Sequence, residues 1–437
     1  MTSRNAEYLI RGKARIPGLT QLLSKRPDQF APGVWPTYFS KAQGTQVWDL
    51  DGVEYLDMSI SGIGANVLGY CDPEVDAAVI DCVKSGNSSS LNGPEDVELA
   101  ELLCEIHPWA DKVRYTRSGG EAMSVAVRIV RAATGRDRIA FCGYHGWSDW
   151  YLAANLSGNE SLVGHLLPGL SPLGVPKGLS GTALPFRYNR IDELKAIFDQ
   201  YPGEVAAVVM EPLRNAMPVQ GFLEQVQTLA KAAGAVLVFD EVSSGFRLNT
   251  GGAHLILGVE PDVAVFAKAM SNGYPMAAII GRGAVMDAAE STFISSTYWT
   301  DRIGPVAALA TIRKHHRDNV AAHLSRIGKA VQDVWSEAAT AAGLPINVYG
   351  IYPMSYFGFE GSDAQAMMTF YVQEMLKHGF LASNRFYANF AQQSEHVETF
   401  GVAVRGVFQN IAALLPKGPM SVHITGGVSR PGFHRMN

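Results

Sequence analysis

A chain of 437 residues, 47% hydrophobic and 18% charged, is long enough for two domains or for one large α/β unit with an appended lobe. Its formal net charge of -5, with Lys and Arg dispersed, leaves no electrostatic footprint for nucleic acid or an anionic membrane. The stretch Met1 to Arg15 lacks the apolar run of a signal peptide, no segment approaches a membrane span, and the cysteines Cys71, Cys82, Cys104 and Cys142 have neither CxxC spacing nor a histidine pattern that suggests a metal site, so no metal site is expected and the thiols read as reduced, in a cytoplasmic protein.

Taken in chain order, Gly44 to Asp57 reads as a hairpin turning at Asp51-Gly52. Tyr115-Thr116-Arg117-Ser118-Gly119-Gly120-Glu121-Ala122 reads as a turn opening a helix that runs to about Ala133 and stops at Gly135. Short apolar runs follow at Ile139 to Gly143, Val205 to Met210, Ala235 to Asp240, Val263 to Ala267 and Ala277 to Gly281, most of them preceded by helical periodicity. That alternation predicts a mainly parallel sheet sandwiched by helices. After about Gly304 helical periodicity runs to Leu324 and on to Ala342, then shorter strands and a C-terminal helix suggest a second lobe; the residues after about Pro419, notably Arg430 to Asn437, read as a mobile tail.

Ligands gather at the carboxyl ends of strands in such a sheet, so polar residues there carry the information. Lys268 ends one apolar strand, and its amine is either solvated or kept uncharged for Schiff-base chemistry. Asp240 ends another, placed to hold a ring nitrogen protonated, or to pair with Arg247, or to cap a helix. Tyr144 follows a third and could lie against a flat cofactor or simply pack. The turn at Ser118, Gly119 and Gly120 lets backbone N–H groups meet a phosphate at a helix N-terminus, or is a plain N-cap.

Ser118-Gly119-Gly120-Glu121-Ala122, Tyr144-His145-Gly146, Asp240-Glu241-Val242 with Gly245-Phe246-Arg247, and Ala267-Lys268 together resemble the motifs of class III aminotransferases, enzymes of fold type I that use pyridoxal 5'-phosphate. The resemblance covers about Pro17 to Phe390 and is strongest to the branch that contains glutamate-1-semialdehyde aminomutase. It implies that Lys268 forms the internal aldimine, that Asp240 pairs with the ring nitrogen, and that Tyr144 stacks on the ring with Val242 on its other face. Ser118, Gly119, Gly120, His145 and Glu211 are further cofactor contacts by the same likeness, Glu211 supporting the nearby loop and Thr297 reaching the cofactor phosphate of a neighbouring subunit. The implied organisation is an α/β protein: residues 1–60 as an N-terminal segment and part of a small α+β lobe built from both termini, 61–305 as the cofactor-binding domain, and 306–437 as the C-terminal small domain. A homodimer is implied as well.

The chain departs from the aminomutase pattern in the places that handle substrate. Gly120 stands where the family has Thr or Ser, which removes one hydroxyl contact to phosphate. Lys25 takes the place of an arginine that holds the substrate carboxylate, Trp150 that of a serine, and Tyr387 that of a glutamate. Trp147 follows His145-Gly146 where ornithine- and aminobutyrate-type relatives carry arginine. Trp147, Trp150, Tyr151 and Ser88 to Ser90 would suit a neutral polyol or sugar-like carbonyl, or are packing residues. The expected function is therefore transfer of an amino group from an amino acid donor to a ketone or aldehyde acceptor. The alternatives are the intramolecular aminomutase and a catalytically silent cofactor-binding protein.

Overall fold

The computed structural model describes residues 3–156, 162, 169–213 and 215–432. The chain forms two compact units, Pro73–Ala321 and the combination of Met1–Asp72 with Ala322–Asn437.

Pro73–Ala321 is organised by seven strands: β1 Lys112–Thr116, β2 Arg138–Cys142, β3 Ala183–Pro185, β4 Val205–Met210, β5 Val236–Asp240, β6 Val263–Phe266 and β7 Ala277–Gly281. Their order across the sheet is β1-β7-β6-β5-β4-β2-β3. The run from β6 to β3 is parallel, while β7 is antiparallel to both its neighbours. Every residue of β4 to β7 is buried, because helices cover both faces, and this is why these strands are apolar throughout rather than alternating. Successive residues still divide between the faces. Ile139, Phe141, Ala207, Val209, Val236 and Val238 pack with helix α1, Gly119–Thr134. Ala140, Cys142, Val208, Met210, Leu237 and Phe239 pack with Phe222, Leu223, Val226 and Ala230 of helix α2, Phe222–Ala232.

Helix α1 begins and ends where the sequence says: the Ser118 hydroxyl accepts from the Glu121 N–H at 3.4 Å, and Gly135 closes it in a left-handed conformation. The long periodic stretch beyond Gly304 is two helices, Ile303–Arg317 and Val320–Ala342. The break falls at Asn319, whose φ of 48° no helix accommodates.

The other unit holds a four-stranded sheet, in which the expected hairpin (Gln46–Asp49 with Glu54–Met58) lies between Phe39–Gln43 and Phe380–Ala382. It also holds a three-stranded antiparallel sheet of Ile346–Ile351, Met354–Phe359 and Arg385–Tyr387, with helices Ala364–Lys377 and Ser394–Leu414. The stretch after Pro419, expected to be mobile, is tied down as far as it is described. Met420 is buried, the Arg430 N–H donates to the Asp28 carbonyl at 2.8 Å, and Gln29 donates to the Arg430 and Gly432 carbonyls. Residues 433–437 lie outside the described residues. No helix among the described residues is long and apolar enough to cross a membrane.

Candidate active site

Parallel strands bring their carboxyl ends to one edge of the sheet, where β5 ends in Asp240 and its neighbour β6 is followed two residues on by Lys268. The Glu241 N–H donates to the Val265 carbonyl at 2.9 Å, so the ladder continues one residue past Asp240. Beyond Phe266, Ala267 is extended and Lys268 turns into the left-handed region at φ 47°. For a residue with a Cβ that conformation costs about 1–2 kcal/mol. The turn brings the half-buried Lys268 side chain back to the segment after β5, where Nζ donates to Ser243 Oγ at 2.7 Å.

Asp240 is 4% exposed. Its Oδ1 accepts from the Val242 N–H at 3.0 Å and its Oδ2 lies 2.7 Å from His145 Nδ1. The other imidazole nitrogen of His145 is 3.1 Å from the Cys142 carbonyl, which can only accept, so Nε2 carries a proton. Asp240 and His145 thus form a buried hydrogen-bonded pair at the strand end. The indole of Trp150 stacks on His145, with centroids 6.0 Å apart and planes 23° apart.

Gly119 and Gly120 open α1 directly beside these groups. A Cβ on Gly119 would come within 2.9 Å of Val242 Cγ1 and 3.7 Å of the Ala267 Cβ. The glycine therefore lets the first turn of α1 approach the segments that follow the Asp240 and Lys268 strands. Tyr144 is placed by Glu211: Oε2 of this buried carboxylate accepts from the Tyr144 N–H at 3.1 Å. Gly143, at φ 111°, allows the approach, since a Cβ there would meet the same oxygen at 2.5 Å. Tyr151 meets the Tyr144 ring edge-on at 5.8 Å, and its hydroxyl donates to the Gly143 carbonyl at 3.0 Å.

The carboxylate following Asp240 goes elsewhere. Glu241 is fully buried and accepts from the His254 N–H and His254 Nδ1, both at 2.9 Å, and from the Ser244 hydroxyl. Burial pushes its carboxyl up, but these hydrogen bonds outweigh the burial and the net direction is down. Trp109 Nε1 donates to His254 Nε2 at 2.9 Å, which leaves Nδ1 as the ring nitrogen that donates to Glu241. His107 beside it accepts from the Gly252 N–H at 3.0 Å, and burial pushes its pKa down to about 4.

Lys268, Asp240, Tyr144, His145, Glu211, Val242, Ser118, Gly119 and Gly120 all lie in Pro73–Ala321; the contacts above join Asp240 to His145 and Val242, Tyr144 to Glu211, and Lys268 to Ser243. Thr297 is in the same unit, exposed, at the start of the short turn Thr297–Thr300, with Phe293 and Tyr298 exposed near it in sequence. Trp150 and Tyr151 are buried in the core against Phe141, so their packing alternative describes their position; Trp147 is the exposed aromatic of that segment. Lys25 and Tyr387 belong to the other unit. Lys25 is exposed while the adjacent Arg26 is buried and holds Asp28 through two nitrogens. The Tyr387 hydroxyl lies 2.9 Å from that of Tyr356. The sequence assigned no role to Ser243, the partner of Lys268, since a serine three residues past a strand is common in any turn.

The family model for class III aminotransferases matches residues 30–386. The 3-aminobutyryl-CoA aminotransferase of Cloacimonas acidaminovorans is 33% identical over 391 residues, covering 86% of this chain and 89% of the relative. A 2'-deamino-2'-hydroxyneamine transaminase of Streptomyces kanamyceticus is 31% identical, over 92% of this chain and 97% of its own. A glutamate-1-semialdehyde 2,1-aminomutase of Anaeromyxobacter dehalogenans is 34% identical, over 87% and 92% respectively. Among solved structures, the FumI protein of Sphingopyxis sp. MTA144, in its PLP internal aldimine form, superposes with a TM-score of 0.86 at 25% identity, covering 96% of this chain and 99% of that one.

Proposed function

Because this chain belongs to the class III aminotransferases, enzymes that use pyridoxal 5'-phosphate on fold type I, we propose that its own reaction transfers an amino group from an amino acid to a neutral ketone or aldehyde, sugar-like in its hydroxyl pattern. The residues at the strand ends fit that cofactor. A buried acid stands ready for a ring nitrogen, a strand-end amine for an aldehyde, and a glycine turn at a helix N-terminus for a phosphate. When bound, the cofactor supplies an aldehyde carbon and an electron-withdrawing ring.

The chain's residues divide the remaining work. The Asp240 carboxylate, held in place by His145, would keep the ring nitrogen protonated. Tyr144 and Val242 bound the two faces of the ring, and Glu211 fixes the backbone that carries Tyr144. Backbone N–H groups of the first turn of α1 take the phosphate. With the cofactor bound, Lys268 would hold and move a proton at Nζ, and Ser243 would orient that amine. The observation that carries this reading is that Val242 and Ala267, which follow the adjacent strands β5 and β6 and flank Asp240 and Lys268 in sequence, both meet Gly119.

The choice of acceptor rests on Lys25, which lacks the bidentate fork that grips a carboxylate, and on the likeness to a transaminase whose name is that of an aminosugar substrate. We assign a homodimer, in which Thr297 serves the partner's phosphate; its exposure together with Phe293 and Tyr298 supports a covered surface there. The cytoplasm suits its four free thiols. The 34% identity to an aminomutase keeps intramolecular transfer as the second reading.

The test is a panel of amines and carbonyl compounds added to the holoprotein while the cofactor's visible absorbance is followed. A transaminase loses the absorbance with a donor and regains it with an acceptor. Conversion of a semialdehyde by the pyridoxamine form with no external donor would instead select the aminomutase, and a spectrum indifferent to every amine would end the enzymatic reading.

A further inference from the structure

The segment Tyr144 to Ser148 crosses over the first turn of α1, and three contacts fix the crossing. A Cβ on Gly146 would lie 3.3 Å from the Gly120 Cα, the Ser148 hydroxyl is 2.5 Å from that of Ser124, and the Ser124 hydroxyl donates to the Gly120 carbonyl at 3.0 Å. Between these pins stands Trp147, 69% exposed and so outside the core. Its indole nonetheless has a definite place: a Cβ on Gly120 would meet Trp147 Nε1 at 3.0 Å and Cδ1 at 3.2 Å. The indole thus fills the space that a side chain at residue 120 would need.

We propose that Trp147 is a cofactor-positioning residue, its indole N–H serving as a phosphate donor in place of a side-chain hydroxyl at residue 120. The inference rests on the reading of the α1 turn as the phosphate site. Glycine at residue 120 removes a hydroxyl and opens a volume; the indole enters that volume with Nε1 as its nearest atom to the vacated Cβ position. An indole N–H is a donor only, suited to an anion and to nothing else nearby that lacks a lone pair. No described residue accepts it. The two arrangements compete for the same space, since a threonine at residue 120 would need the indole to give way by a few tenths of an ångström at Nε1 and Cδ1.

Full-length protein stripped of cofactor is titrated with pyridoxal 5'-phosphate and, separately, with pyridoxal, which lacks the phosphate. Trp147→Phe keeps a ring over Gly120 and removes the N–H. Its affinity for the phosphorylated form falls roughly tenfold, as for one hydrogen bond to a charged group, while that for pyridoxal stays within about twofold. Trp147→Ala weakens the phosphorylated form as well, and adding Gly120→Thr to it restores part of the loss by returning a hydroxyl. Unchanged affinity of Trp147→Phe for both compounds overturns the proposal, and so does an equal loss for both, which would make the indole a wall rather than a donor. Failure of the wild-type protein to take up either compound would remove the cofactor reading itself.

Discussion

Asp240 and Glu241 are consecutive carboxylates at the end of one strand, both buried, and they live in opposite circumstances. Glu241 receives three donors from His254 and Ser244, and His254 is in turn satisfied by Trp109. Asp240 receives one backbone N–H and is hydrogen-bonded to His145. The first is a closed polar cluster whose members answer one another; the second is tied to a convergence of Gly119, Val242 and Lys268 that makes sense only with something bound. Burial and charge alone do not distinguish a site from scaffolding. The destination of the hydrogen bonds does.

Substitutions sharpen this contrast. Lys268→Ala lowers turnover by more than about 10³-fold and removes the covalent absorbance of bound cofactor while leaving the fold intact, read by steady-state kinetics and absorbance. Asp240→Asn lowers turnover on the order of 10²–10⁴-fold but costs only about 1 kcal/mol in urea unfolding, because the amide oxygen still accepts from the Val242 N–H. On the scaffold side the first effect is on acid stability. Burial holds His107 and His315 at a pKa of about 4, against 6.5 unfolded. The unfolded chain therefore binds more protons between these values, and stability present above pH 6.5 is lost as pH falls towards 4. From pH 7.5 to 5.0 the two together cost on the order of 4 kcal/mol in urea unfolding, and His315→Phe removes about half of that slope. Glu241→Gln turns an amide against the His254 donors and loses about 2–3 kcal/mol with turnover nearly intact; a collapse of turnover as deep as that of Asp240→Asn would break the comparison. Smallest is Ser118→Ala, which loses the N-cap of α1 and about 1 kcal/mol in thermal unfolding of the cofactor-free protein.

The strands of the sheet were legible because double-sided burial demands unbroken apolar runs, and β4, β5 and β7 lie within one residue of those runs. The reversed direction of β7 was not, since periodicity carries no polarity. Strand β1, with two charged residues among its five and four of them not buried, and the three-residue β3 had no comparable signal. Lys268 and Asp240 stood out as charges at the ends of apolar strands. Trp150 did not reveal its side: an aromatic in a short helix faces core or solvent according to a rotation that four residues cannot fix. The partnership of Glu241 with His254, and the cover that Trp147 gives Gly120, join residues brought together only by the fold.

The left-handed backbone at Lys268 leaves a mark on heredity. Replacing that lysine with glycine relieves the Cβ strain, so Lys268→Gly should be more stable than Lys268→Ala by about 1 kcal/mol where the glycine's gain in conformational fit exceeds its entropy in the unfolded chain. A descendant released from the chemistry would be drawn towards glycine or asparagine at that position. The lysine persists uphill of that drift, and its retention in a relative is a readable sign that the amine is still in use.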